Sequence, residues 1–226
     1  MSVRIGLIVP SSNTVAEVDF YRRLPDGVTL HTARMYLEET TPEGEATMLD
    51  DHLPTAISDL ATVRPDVVVF GCTSAGALRG NAYEAELIAR LARETGARAV
   101  SVSAAVRRAI LGHGGRRVGV ITPYIDSLND KIRESLQDDG VEVAGIHGLG
   151  ITDNVTIADV TPERIAELAV ERFGGSEIEL LFASCTNFRA FDARERIHEA
   201  LGVPVVTSNH AALVAALDEI GAISAA

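Results

Sequence analysis

Short runs of apolar, mostly β-branched residues recur along the chain, and between them apolar positions fall at helical spacing. The runs predict strands at Ile5–Val9, Val28–Met35, Val67–Phe70, Ala99–Val102, Val118–Ile121, Val141–Ile146, Leu180–Ala183 and Val203–Val206. The intervening periodicity predicts helices that include Val15–Leu24, Ala82–Thr95, Ala104–Leu111, Asp126–Asp139, Pro162–Phe173 and Ala211–Ile220. Alternating strand and helix is the pattern of an α/β fold with a parallel sheet. Thr14 with Glu17 fits a capping box for the first helix. Thr161 before Pro162 fits an N-cap followed by a proline at the first helical position.

The pattern also repeats. Arg4-Ile5-Gly6-Leu7-Ile8-Val9-Pro10 matches Arg117-Val118-Gly119-Val120-Ile121-Thr122-Pro123 at an offset of 113 (117 − 4). The same offset carries Cys72 onto Cys185, within Phe70-Gly71-Cys72-Thr73-Ser74 and Ala183-Ser184-Cys185-Thr186-Asn187. Further on, Ser101-Val102-Ser103 matches Thr207-Ser208-Asn209 at an offset of 106, so the second half has lost about seven residues in a loop. Gly112-His113-Gly114-Gly115-Arg116 is a glycine-rich break between the halves. The expectation is two similar lobes, residues 1–113 and 114–226, each a four-stranded parallel sheet flanked by helices. They are related by a pseudo-two-fold axis, with the last helix free to pack on the N-terminal lobe. Ligands of open parallel sheets bind beyond the carboxyl ends of the strands. The loops at Pro10, Cys72, Pro123 and Cys185 should therefore meet in one cleft between the lobes.

A lone cysteine is more often a small buried hydrophobe than a reactive group. Here the chain's two cysteines sit at equivalent positions of a repeat, each followed by Thr, a symmetry that core filling does not require. Two thiols flanking a planar carbon can serve as nucleophile or base on one side and proton donor on the other. One of them must be activated, and strand-end N–H groups with a following helix N-terminus can do this without a cation. The same N–H groups can hold a carboxylate and an enediolate.

Net charge is −12, which argues against nucleic-acid or anionic membrane partners. The apolar start, Val3 to Val9, is too short for a signal peptide, and no run reaches the roughly 18 apolar residues of a span. A cytoplasmic protein is expected, its cysteines unlinked. The six histidines lack metal-ligand spacing, with His31 and His147 read as strand residues, and no phosphate-binding glycine loop follows a strand. No metal and no cofactor are expected, and a homodimer is the default assembly.

Several motifs, in order, carry a resemblance over essentially the whole length. They are Pro10-Ser11-Ser12-Asn13, Thr41-Pro42-Glu43-Gly44, Gly71-Cys72-Thr73-Ser74, Thr122-Pro123-Tyr124, Gly150-Ile151-Thr152-Asp153-Asn154, Ser184-Cys185 and Pro204-Val205-Val206. The chain resembles the branch of the aspartate/glutamate racemase superfamily that holds maleate cis-trans isomerases and arylmalonate decarboxylases. The isomerase pattern implies site roles for Asn13, Cys72, Tyr124, Asn154 and Cys185. The decarboxylase pattern implies that Thr73 and Ser74 cradle a carboxylate and matches Arg79 and Gly80, but it has glycine in place of Cys72. Ser12, Thr186 and Asn187 complete the candidate substrate-binding set. Read from the residues alone, Asn13 is equally a helix cap, and Tyr124 and Asn154 are turn residues. Three functions follow as expectations. The first is cis-trans isomerisation of a maleate-like dicarboxylate through a Cys72 adduct, with Cys185 moving the proton. Racemisation or decarboxylation of an amino-acid-like or arylated acid is the alternative, and a non-catalytic pair of binding lobes comes last.

Overall fold

In the computed structural model, which describes residues 2–222, every predicted apolar run overlaps a strand, with Val102, Val141, Val203 and Pro204 falling just outside. Met1 and residues 223–226, the outer ends of the two predicted lobes, lie outside the described residues. The first half runs β1 (Val3–Pro10), α1 (Ala16–Tyr21), β2 (Val28–Met35), α2 (Pro42–Thr47), a π-helical turn (Met48–His52) and α3 (Leu53–Ala61). It continues through β3 (Val67–Phe70), α4 (Thr73–Leu78), α5 (Gly80–Thr95), β4 (Arg98–Ser101) and α6 (Val102–Gly112). The second half follows as β5 (Arg117–Thr122), α7 (Asp126–Asp138), β6 (Glu142–Gly148), α8 (Asn154–Asp159), α9 (Pro162–Phe173) and β7 (Leu180–Ala183). It ends in α10 (Ala190–Leu201), β8 (Val205–Thr207) and α11 (Ser208–Glu219).

The strands form two parallel sheets of four, ordered β2-β1-β3-β4 and β6-β5-β7-β8. Identical strand order in both halves is the pseudo-symmetry that the repeat predicts. The slipped register also holds: Ser101 caps α6 by accepting from the Ala104 N–H, and Thr207 caps α11 by accepting from the His210 N–H. Thr161 likewise caps α9, ahead of Pro162.

The Thr14–Glu17 capping box does not form. Helix α1 begins one residue later, and the Asn13 side-chain oxygen accepts from the Val15 and Ala16 N–H groups instead. Glu17 is drawn off by an ion pair with Arg34, whose guanidinium also donates to the Ser11 and Asn13 carbonyls and braces that loop.

Alternation along each strand sorts residues onto two faces. Ile5, Leu7, Val9, Val67 and Val69 join Val118, Val120, Leu180 and Phe182 in one core spanning both sheets. Ile8, Val68 and Phe70 face the other way, onto Met48, Leu49, Leu53, Ile57 and Leu91. Helices α6 and α11 pack on each other, α11 also against β3 and β4, and α6 against β8. Across the strand ends, Glu39 and Asp153 form an antiparallel bridge, and the Thr40 N–H donates to the Thr152 carbonyl at 2.8 Å. The loop after β2 thus closes on the loop after β6.

Candidate active site

The two central strands, β3 and β7, each end one residue short of a glycine or serine and then a cysteine. Gly71 sits so close to β1 that a Cβ would stand 2.9 Å from the Ile8 carbonyl oxygen, so only glycine fits this approach. Cys72 is extended (φ −139°) and caps α4. Cys185 has φ +110°, a region that costs a non-glycine residue about 1–3 kcal/mol. The Cys185 N–H donates to the Ser208 hydroxyl at 3.0 Å, and the Asn187 N–H donates to the Cys185 sulfur at 3.3 Å; these contacts hold the strained turn. Both thiols are free and buried, Cys72 5% and Cys185 6% exposed.

The structure brings the halves together around them. The Thr73 hydroxyl donates to the same Ser208 oxygen at 2.9 Å, so one hydroxyl ties the residue after Cys72 to the backbone of Cys185. Thr186 donates to the Gly71 carbonyl and accepts from the Asn13 amide, each at 3.1 Å. Asn187 accepts from the Thr14 N–H at 2.8 Å and donates to the Asn154 carbonyl at 2.6 Å. Asn154 in turn donates to the Ser12 hydroxyl at 2.9 Å. Ser12, Asn154 and Asn187 are linked in one chain of hydrogen bonds, Asn13 pairs with Thr186, and Thr73 pairs with Ser208.

Tyr124 is positioned by its loop. Its N–H donates to the Thr122 hydroxyl, and the N–H groups of Leu149, Gly150 and Ile151 donate to the carbonyls of Thr122, Tyr124 and Pro123. Gly148 makes room for this loop, since a Cβ there would fall 2.1 Å from the Tyr124 carbonyl oxygen. The buried Tyr124 phenol faces the Cys185 sulfur as a donor and helps the thiolate form. Burial pushes Cys185 up to about 11, offset in part by Tyr124 and by the Asn187 and Phe188 N–H groups. Cys72 is also pushed up, by burial and then by the Glu45 carboxyl, with only the Ala75 N–H and Ser74 working against the shift. Burial pushes the Tyr124 phenol up as well.

Burial outweighs the N–H groups at both thiols, so the net push on each is upward. The Thr73 hydroxyl donates to Ser208 and the Ser74 hydroxyl to the Glu45 carboxyl. Arg79 lies outside the site, paired with Asp50 at 2.7–2.8 Å and stacked by Tyr83.

Sequence reasoning missed Glu45 and Ser208. Glu45, on α2, is fully buried, and its second carboxyl oxygen has no partner. Its signal was an acid three and four residues before Met48 and Leu49, on the apolar face of its helix. Ser208 opens α11 in the repeat match, yet nothing in one sequence distinguishes it from a capping serine. Among the described residues, no three His, Cys, Asp or Glu side chains gather as a metal site. No helix among them is long and apolar enough to cross a membrane.

Like α/β halves that bury one thiol at each equivalent strand end, with a phenol and a carboxyl group beside them, define a two-cysteine acid–base scaffold. The chain belongs to the arylmalonate decarboxylase family, whose model matches residues 5–226. It is 30% identical over 211 residues to the arylmalonate decarboxylase of Bordetella bronchiseptica, covering 92% of this chain and 86% of that protein. It is 27% identical over 218 residues to a maleate isomerase of Geobacillus stearothermophilus, covering 91% and 86%. The fold matches a cysteine-to-serine variant of the Nocardia farcinica maleate cis-trans isomerase that carries a covalently bound succinylcysteine intermediate. The TM-score is 0.89 at 23% identity, covering 98% of this chain and 94% of that one.

Proposed function

We propose that the protein is a cofactor-independent isomerase converting maleate, or a closely similar cis dicarboxylate, to its trans isomer. The observation that carries this reading is the pair of free, buried thiols at symmetric strand ends with unlike partners. The maleate isomerases among its relatives support the choice of substrate. A decarboxylase that needs only one proton donor has no use for the thiol of Cys72.

The Cys72 sulfur, losing its proton, adds to one alkene carbon of the diacid. The π pair moves to the neighbouring carbon and into its carboxylate as an enediolate, held by loop N–H groups and the Tyr124 hydroxyl. Cys185 hands its proton to that carbon and becomes a thiolate stabilised by Tyr124 and the Asn187 N–H. The resulting succinyl thioether has a single bond where the alkene stood, and it rotates. Cys185 then removes the proton from that carbon, the carbon–sulfur bond breaks, and the trans acid leaves with Cys72 able to regain a proton. The succinylcysteine in the Nocardia isomerase variant is the counterpart of this adduct.

The test is mass spectrometry of Cys185→Ser incubated with maleate. The expected result is protein plus one intact diacid, on the peptide that contains Cys72. Deuterium exchange at the α-carbon of a saturated or arylated acid, with no maleate adduct, would replace the isomerase by the racemase reading. Carbon dioxide release from an arylmalonate would favour the decarboxylase reading, for which Cys185 alone is the proton donor.

A further inference from the structure

Nothing cationic stands beside Cys72, and burial and the Glu45 carboxyl both push its thiol up. A nucleophile so placed needs a group to take its proton. From the contacts at β3 and α2 we propose that Glu45 is that acceptor, reached through the Ser74 hydroxyl. The inference rests on Cys72 being the nucleophile of the proposed reaction.

The geometry forms a chain of three atoms. The Cys72 sulfur is 3.9 Å from the Ser74 oxygen, within hydrogen-bonding reach of sulfur. The Ser74 hydroxyl donates to one carboxylate oxygen of Glu45. Glu45 is fully buried, and its other oxygen is unpartnered. An unpaired buried carboxylate is costly, and a purely structural role for this residue would be better filled by an apolar side chain.

The other half supplies the comparison. Helix α8 is the counterpart of α2, and its cap, Asp153, corresponds to Thr41. Four residues past each cap stand Glu45 (45 − 41) and Ile157 (157 − 153), both with no exposure. The second half therefore fills this position with hydrocarbon, and only the half containing Cys72 carries an acid there.

The proton balance is simple. The Cys72 S–H bond breaks as an O–H bond forms on Ser74; the original Ser74 proton passes to Glu45. The thiolate is left facing a Ser74 hydroxyl that now donates to sulfur instead of to the carboxylate. Burial pushes the Glu45 carboxyl up to about 8, which makes it a stronger proton acceptor than an ordinary carboxylate. The ionisable groups around the triad are Cys185 and Tyr124, both pushed up by burial. On the π-helical turn packed against α2, Asp50 pairs with Arg79 at the surface and His52 stacks on Tyr36. Asp51 is exposed. The dominant cause of the Glu45 shift is its own burial, opposed only by the Ser74 hydrogen bond.

The experiment measures alkylation of Cys72 by iodoacetamide against pH in a Cys185→Ser background, where Cys72 is the sole cysteine of the chain. No substrate is involved, so its outcome is separate from that of the maleate adduct. With Glu45 present the rate should rise through an inflection near 8, the deprotonation of the coupled pair. Glu45→Gln should remove the inflection and slow alkylation near pH 8.5 by about 100-fold, the scale of general-base assistance. Were Glu45 only a negative charge beside the thiol, the same substitution would make Cys72 more acidic and speed alkylation. An unchanged or faster rate therefore overturns the proposal. A change in access alone would rescale the whole profile and leave the inflection, which also counts against it. Ser74→Ala keeps the carboxyl but cuts the chain, and should slow alkylation to a similar extent; an unaffected rate in that variant rejects the relay.

Discussion

The two cysteines occupy the same place in a repeated fold, yet their surroundings have little in common. Cys72 is extended, caps a helix and stands beside a buried acid. Cys185 lies in a left-handed turn, receives an N–H on its sulfur and faces a phenol. At the 113-residue offset Tyr124 corresponds to Ser11, and four residues past the matching helix caps Glu45 has the apolar counterpart Ile157. Backbone symmetry supplied two thiols at one cleft, and side chains particular to each half gave them different proton affinities. Opposite acid and base roles require that difference, because two identical thiols in identical settings would not favour either direction of proton flow.

The comparison is broken most severely by removing the thiols themselves. Cys72→Ser and Cys185→Ser should each lower turnover of maleate by about 10³-fold, the range of general acid–base and nucleophilic assistance. Circular dichroism should show an unchanged fold. A variant with near wild-type turnover would show its cysteine to be core filler.

A smaller effect should appear in stability against pH. An acid whose pKa is raised on folding binds more protons folded than unfolded between the two values, so its contribution is full below about 4.5 and is lost as pH climbs toward about 8. Thermal melts of the wild type should therefore lose ground to Glu45→Gln over this window, by an amount of order a few kcal/mol. Parallel curves for the two proteins would mean that Glu45 is solvated, contrary to its burial.

The smallest effect sharpens the comparison from the other side. Tyr124→Phe removes a donor that favours the Cys185 thiolate, so Cys185 should become harder to ionise by about one pH unit. In a Cys72→Ser background the alkylation profile of Cys185 should shift to higher pH accordingly. No shift would take Tyr124 out of the account of Cys185.

Most of the fold was legible because period-2 and period-3.6 patterns are local. Val28–Met35, Val67–Phe70 and Leu180–Ala183 are strands with the boundaries that the apolar runs predict. The helices α3 and α10 went unread although Pro54 stands in the first turn of one and the left-handed Gly202 ends the other, and β8 runs Val205–Thr207 rather than from Val203. The positions of the thiols were legible through the repeat, which fixes which strand ends are equivalent without a structure. Their chemistry was not. Ser208 lies 135 residues from its partner Thr73, and Glu45 lies 29 from Ser74. No local pattern encodes contacts of that kind. The partners of the Thr73 and Ser74 hydroxyls were illegible for the same reason: what they donate to is decided by α11 and α2, not by their neighbours in the chain.

The bridge between Glu39 and Asp153 joins loops that occupy corresponding places in the two halves, so it is an isologous contact folded into one polypeptide. In a homodimer of a single half, every substitution on such a loop would appear twice, on both sides of the axis. Once the halves share a chain, each copy can vary alone, and an acid on one side need not be matched on the other. The bridge itself is made by backbone pairing, so it is largely indifferent to which side chains the two loops carry.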